Sequence, residues 1–144
     1  MFAHLESQGG RDYDRLAKKF PQHWRAVYMT GQLEGEVNNG GHHQFFWNSD
    51  GALNAETLED LRYIKADAFA DIFAGALDVY GKYDYQKEKQ EAGRDWEAFS
   101  EAYREGRLEE YDDRFYEESE KQSLSNLLAR HILDNRELYL KRTP

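Results

Sequence analysis

Apolar residues recur at helical spacing along almost the whole chain, and strict alternation, the mark of a half-buried strand, is nearly absent. Tyr13, Leu16, Ala17 and Phe20 fall at i, i+3, i+4 and i+7 behind Asp12, which can serve as an N-cap, so a one-faced helix is expected there. Pro21 to about Asn38 reads as a second helix. Its Trp24, Val27, Tyr28, Leu33 and Val37 spread around more than one face, as in a central helix. Gly31 and Gly35 lie four apart on one side of it and would admit a close helical neighbour, at a cost of about 1 kcal/mol each relative to Ala. Asn39-Gly40-Gly41 is expected to stop this helix, leaving His42 to Asn48 as a short segment before the turn Ser49-Asp50-Gly51.

Beyond that turn, Asn54 is expected to cap a helix carrying Leu58 and Leu61, with a break near Lys65. Phe69, Ile72, Phe73, Ala76, Leu77 and Tyr80 form the clearest amphipathic stripe, and Gly81 is placed to end it. Asp95 heads a further stripe of Trp96, Phe99 and Tyr103. Leu108, Tyr111 and Phe115 form a short helix, and Leu124, Leu127, Leu128, His131, Ile132 and Leu138 form the last one. The expectation is one all-α domain over residues 1–144, a bundle of about six to eight helices.

Composition changes this picture in two ways. Leu, Ile, Val and Phe are scarce enough to warn of disorder, but eight Phe, three Trp and ten Tyr supply large apolar area, so an aromatic core is expected instead. The formal charge of −9 repels phosphate backbones and anionic lipid, which argues against direct binding of nucleic acid or membrane. There is no Cys, so disulfides, thiolate metal sites and a cysteine nucleophile are excluded together. The apolar stretch Ala66 to Tyr80 is interrupted by Asp67, Asp71 and Asp78, and the first twelve residues contain no apolar run. A cytoplasmic location is expected.

One segment is distinctive. Asn39, Gly40, Gly41, Gln44, Asn48, Ser49 and Gly51 combine paired glycines with Gln and Asn at fixed offsets. Read from the residues alone, this is architecture. The glycines permit positive φ, Asn39 suits a helix end, and Gln44 and Asn48 stand four apart where their amides can bond exposed backbone groups. The same segment, with Ile64-Lys65-Ala66, Asp112 to Tyr116 and the closing Leu-rich helix, resembles a bacterial family whose namesake is described as a DNA mimic. Two positions depart from that family's pattern. His42 stands where an aromatic residue is usual, and Lys65 stands where a glycine is common, which would let a helix run through that point. The resemblance covers about Trp24 to Leu140. It implies an all-α fold, often homodimeric, with an acidic surface that occupies a DNA-binding protein in place of DNA.

Charge is concentrated to match. Asp95 to Glu120 holds eleven carboxylates and three arginines, a net of −8. As one continuous helix the run would be about 39 Å long, with a carboxylate every ~3.5 Å of axis, beside ~3.4 Å between phosphates of a DNA strand. Glu109, Glu110, Asp112, Asp113, Glu117 and Glu118 are therefore the candidate partner-binding residues, and the expected partner is a basic protein such as a transcription factor. An immunity-type inhibitor of a basic toxin, for example a nuclease, would use the same surface. The histidines lack any i, i+4 pair, so neither metal nor cofactor is expected. Catalysis has the least support, its only candidates being Glu36, His42 and His43 beside the glycine pair. His131, on an apolar stripe, is expected to be a hydrogen-bonded core residue.

Overall fold

The computed structural model describes residues 12–83, 87, 90 and 106–141. Six helices and no strand are assigned in full among them: α1 (Gln22–Ser49), α2 (Asn54–Tyr63), α3 (Asp67–Lys82), α4 (Glu109–Lys121), α5 (Leu124–Asp134) and α6 (Arg136–Leu140). Helical turns over 12–17 precede them. The stripe headed by Asp95 lies outside the described residues.

α1 is the central element, as its many-sided apolar pattern required, and packs against α2, α4, α5 and α6. Met29, Leu33, Val37, Phe45 and Phe46 point from it into the core. α3 contributes Phe69, Ile72 and Phe73, and α4 contributes Phe115. The core is aromatic as expected. Phe45 meets Phe73 edge-on at 5.6 Å between centroids, and Phe69 meets Phe115 at 5.0 Å. Such tilted contacts suit the ring quadrupoles and add to the area buried.

Several local expectations need correction. Asn39-Gly40-Gly41 kinks α1 without ending it: Gly40 and Gly41 leave helical geometry, and the chain re-enters a helix through Ser49. Gly31 and Gly35 admit no close neighbour, since both are exposed and no described atom lies within 4 Å of where a Cβ would stand. Asn54 does not cap α2; Leu53 holds that position, with no side-chain cap bond. Gly81 lies inside α3, which runs to Lys82 and is capped by Tyr83. The last apolar stripe divides at Asn135 into α5 and α6. At the N-terminal side only Ala17 of the expected stripe is buried, while Tyr13, Leu16 and Phe20 are exposed.

Two polar ties fix α1 to its neighbours. Arg25 forks onto the buried Asp60 of α2, donating from Nε at 2.8 Å and Nη2 at 2.7 Å. That hydrogen bonding holds the guanidinium pKa well above its usual value. Tyr28 Oη donates to Asp14 at 2.8 Å, tying the first helical turns to α1; burial first, then this bond, raises the phenol pKa.

The break between α2 and α3 is a Schellman turn. Ala66 N donates to Leu61 O and Lys65 N to Arg62 O, with Lys65 at φ +62°. A left-handed residue carrying a Cβ pays for that conformation by about 1–2 kcal/mol, an amount that glycine avoids while losing more chain entropy on folding. Lys65→Gly is therefore expected to stabilise the fold by about 0.5–1 kcal/mol, raising the melting temperature by about 2–4 °C. A thermal melt of the variant that coincides with wild type, or falls below it, would show that the turn is not strained.

Candidate functional site

The glycine kink in α1 brings together residues that the sequence keeps 70 positions apart. Re-entering a helix at Gly41 exposes backbone N–H groups that the preceding turn cannot satisfy. Asp112, from the first turn of α4, supplies the acceptor. Its Oδ1 takes the His42 backbone N–H at 2.8 Å and faces the His42 ring Nδ1 at 2.7 Å. Oδ2 lies over Gly41, whose φ is +73° and where any Cβ would run into that carboxylate. The site thus requires glycine twice, for conformation and for space.

The pair is buried: His42 is 0% exposed and Asp112 7%. The carboxylate fixes the ring proton on Nδ1. Nε2 is buried without a hydrogen-bond partner among the described residues, and Phe46, Phe73 and Phe115 surround the ring with centroids at 6.4, 6.3 and 5.8 Å. His42 therefore fills an aromatic position, with one polar atom turned to Asp112. Tyr116 continues the seam, its hydroxyl donating to Val37 O at 2.7 Å.

On the other side of the kink is a polar bracket. Glu36 Oε2 accepts from Gln44 Nε2 at 2.5 Å and Asn48 Nδ2 at 3.0 Å, and Asn39 Nδ2 donates to Gln44 Oε1 at 3.0 Å. The amides of Gln44 and Asn48 thus bond a side-chain carboxylate spanning the bend, where backbone groups were expected. Asn39 and Asn48 are exposed. Ser49 is buried and donates to Phe45 O at 2.8 Å, and Gly51, at φ +75°, lies against Tyr80 Oη where a Cβ would not fit.

The family model for DMP19-like protein matches residues 18–135, which contain the kink, the bracket and all of α4. The chain belongs to the DMP19-like family. It is a family of DNA-mimic proteins. No curated protein and no solved structure matches the chain. Among the described residues, no helix is long and apolar enough to cross a membrane, and no three His, Asp or Glu side chains gather as metal ligands would. The candidates for catalysis have separate roles, with Glu36 in the bracket and His42 held by Asp112.

In this DMP19-like chain the acidic run divides by burial. Glu109, Glu110, Asp113 and Glu117 are exposed, as is Glu120. Glu118 is half-buried with Lys121 at 3.3 Å, and Asp112 is not on the surface at all. A signal for this was present. Leu108, Tyr111, Asp112 and Phe115 fall at i, i+3, i+4 and i+7, so Asp112 occupies an apolar stripe of α4 while Asp113 does not. Only Glu109–Lys121 of the run is a described helix, about 20 Å long, and Gly106 at φ +63° precedes it. The 39 Å continuous helix is not formed over the described residues.

A direct comparison separates the two adjacent carboxylates. Asp112→Ala removes the acceptor of two donors in a buried pair and is expected to cost about 3 kcal/mol or more. Asp113→Ala, one residue on and exposed, should stay within about 0.5 kcal/mol of wild type. Urea titrations of both variants measure this, and equal midpoints would refute the assigned role of Asp112. By the same reasoning Asn48→Ala, exposed in the bracket, should cost less than about 1 kcal/mol; a larger loss would mean the bracket carries the kink.

Proposed function

We propose that this chain occupies the DNA-binding surface of a basic protein, such as a transcription factor, through the exposed carboxylates of α4. The observation that carries the reading is the row Glu109, Asp113 and Glu117, exposed at i, i+4 and i+8 on a helix whose inner face is anchored by Asp112 and Phe115. Successive members are about 6 Å apart along the axis and drift only slowly around it. They form a stripe of like charge, the opposite of the i, i+4 acid–base pairing that stabilises an isolated surface helix. Glu110 and Glu120 broaden it. The buried Asp112 takes no part.

Part of this acidity stabilises the fold itself. Glu109, Glu110 and Asp112 are in the first turn of α4, where the helix dipole favours negative charge. Asp113, Glu117 and Glu120 lie beyond that turn and gain little from it, so their accumulation points outward, to a partner.

We also propose that two copies pair. Leu133, Leu138 and Leu140 at the C-terminal side, and Trp24 of α1, are large apolar side chains left exposed and would supply area for it.

A DNA-binding protein retained by the chain from cell lysate provides the test, once identified and purified. Its own operator DNA should compete with this chain for one surface. Changing Glu109, Glu110 and Glu117 to Gln and Asp113 to Asn should slow association about tenfold or more, while the melting temperature moves by no more than a few degrees. Rising salt should weaken binding, less steeply than it weakens DNA binding, because protein carboxylates release no condensed counterion atmosphere. Unchanged association of the neutralised variant, or a ternary complex with DNA, would overturn the proposal.

A further inference from the structure

The C-terminal corner holds a second histidine whose ring is only partly satisfied. His131 lies in the last turn of α5, with the ring of Tyr63 from α2 at 4.8 Å and that of Tyr139 from α6 at 6.2 Å. Its Nε2 is buried without a hydrogen-bond partner among the described residues. Asn135, the residue between α5 and α6, donates its side-chain amide to His131 O at 2.9 Å and brings the same nitrogen to 3.5 Å from His131 Nδ1, the outer limit of a hydrogen bond. An amide nitrogen only donates, so Nδ1 faces it as an acceptor and the ring is neutral, with its proton on Nε2.

α6 depends on this corner. It has five residues, none of them buried, so it cannot hold its place by core packing. What holds it is Tyr139, set edge-on to Trp24 at 5.3 Å and to His23 at 5.2 Å, its hydroxyl donating to His23 O at 3.2 Å.

We propose that this corner is a pH-operated latch, in which protonation of His131 releases α6 from α1 and parts Tyr139 from His23 and Trp24. A proton on Nδ1 would set a donor against the Asn135 amide nitrogen, and Nε2 already lacks an acceptor among the described residues. Burial favours the same outcome, while the charged groups around the ring are divided. Burial lowers the His131 pKa from its ordinary value; Asp134 on its own helix opposes this, while Lys65 from the turn after α2 and His23 from α1 reinforce it. Tyr63 and Tyr139 complete the surroundings. Burial and then the proximity of Tyr63 push Tyr139 up to about 12, so it stays a neutral phenol throughout. The direction follows from linkage. The docked state prefers the neutral ring, so the latch is closed above the ordinary histidine value and opens as pH falls through the lowered one.

The test is NMR of the full chain with labelled histidine, tryptophan and tyrosine, titrated from about pH 8 to about pH 5. The His131 ring should titrate below its ordinary midpoint, and the Trp24 indole and Tyr139 ring should move with the same midpoint while the core Trp47 does not. In His131→Gln, the part of the Trp24 movement that follows the His131 midpoint should be lost. A Trp24 signal that stays still while His131 titrates, or that moves unchanged in His131→Gln, would overturn the latch. If His131→Gln does not fold, Asn135→Asp decides. A carboxylate beside Nδ1 should raise the His131 midpoint by about one pH unit or more and stop Trp24 from following it. A midpoint that stays where it was, or a Trp24 that still follows, would overturn the proposal equally.

Discussion

One buried carboxylate joins the two halves of this fold. A helix that bends at adjacent glycines must restart, and a restarting helix exposes N–H groups that only an acceptor from elsewhere can satisfy. Most helices take that acceptor from a local Ser, Thr, Asp or Asn. Here it comes from Asp112, 70 residues along the chain, which bonds the His42 backbone and ring with a single oxygen. Because Asp112 must reach Gly41 and His42, α4 can approach α1 in only one register. Phe115, three residues on, then meets Phe69 and His42, and Tyr116 meets Val37 O. The position of the exposed carboxylates on the opposite side of α4 is therefore a consequence of the bend in α1.

The two polar clusters at the bend differ in what they contribute. The outer bonds of the Glu36 bracket, from Asn39 and Asn48, are exposed, so each replaces one that water would otherwise make, and their net gain is small. The Asp112–His42 pair has no such alternative. Loss of either partner leaves a polar group in a cage of phenylalanine rings, where the desolvation penalty is paid in full. Burial thus ranks the residues of the glycine signature differently from their number in the sequence. Gly41 is constrained by a contact outside the signature, whereas Asn39 and Asn48 trim the outer side of the bend.

What the sequence makes legible follows from what each feature depends on. The aromatic stripes of α1, α3 and α4 are periodic, and periodicity survives into structure because one face must be buried whatever it meets. Leu108, Tyr111 and Phe115 were readable for that reason. Asp112 lies on the same stripe, but within a run of eleven carboxylates composition draws attention to the run and away from the phase of one member. The course of α1 through Gly40 and Gly41 could not be read locally, because the acceptor that lets the helix resume belongs to another element. Helix ends failed likewise. Asn54 has the chemistry of a cap, yet the turn from Gly51 places Leu53 at that position, and Ser123 caps α5 through Asn126 N at 3.1 Å without having been singled out. Lys65 shows backbone demand overriding side-chain preference: Leu61 and Ala66 are both buried across the Schellman turn, and the residue between takes a positive φ regardless of its identity.

The mounting of α4 bears directly on the function proposed for it. A surface that imitates a row of fixed phosphates loses affinity for every side chain it must order on binding, by about 0.5–1.5 kcal/mol for each long, flexible one. Glutamates on a loose segment would meet that cost in addition to ordering the segment. On α4 the backbone is already held, by Asp112 and Phe115 on the inner face and by Tyr116 at the seam, so only side-chain freedom is lost. Repulsion among Glu109, Asp113 and Glu117 acts in the protein alone and would be relieved by the basic partner proposed, favouring association without any change of shape. On the function proposed here, stability and recognition are divided between two adjacent residues, Asp112 facing inward and Asp113 facing out.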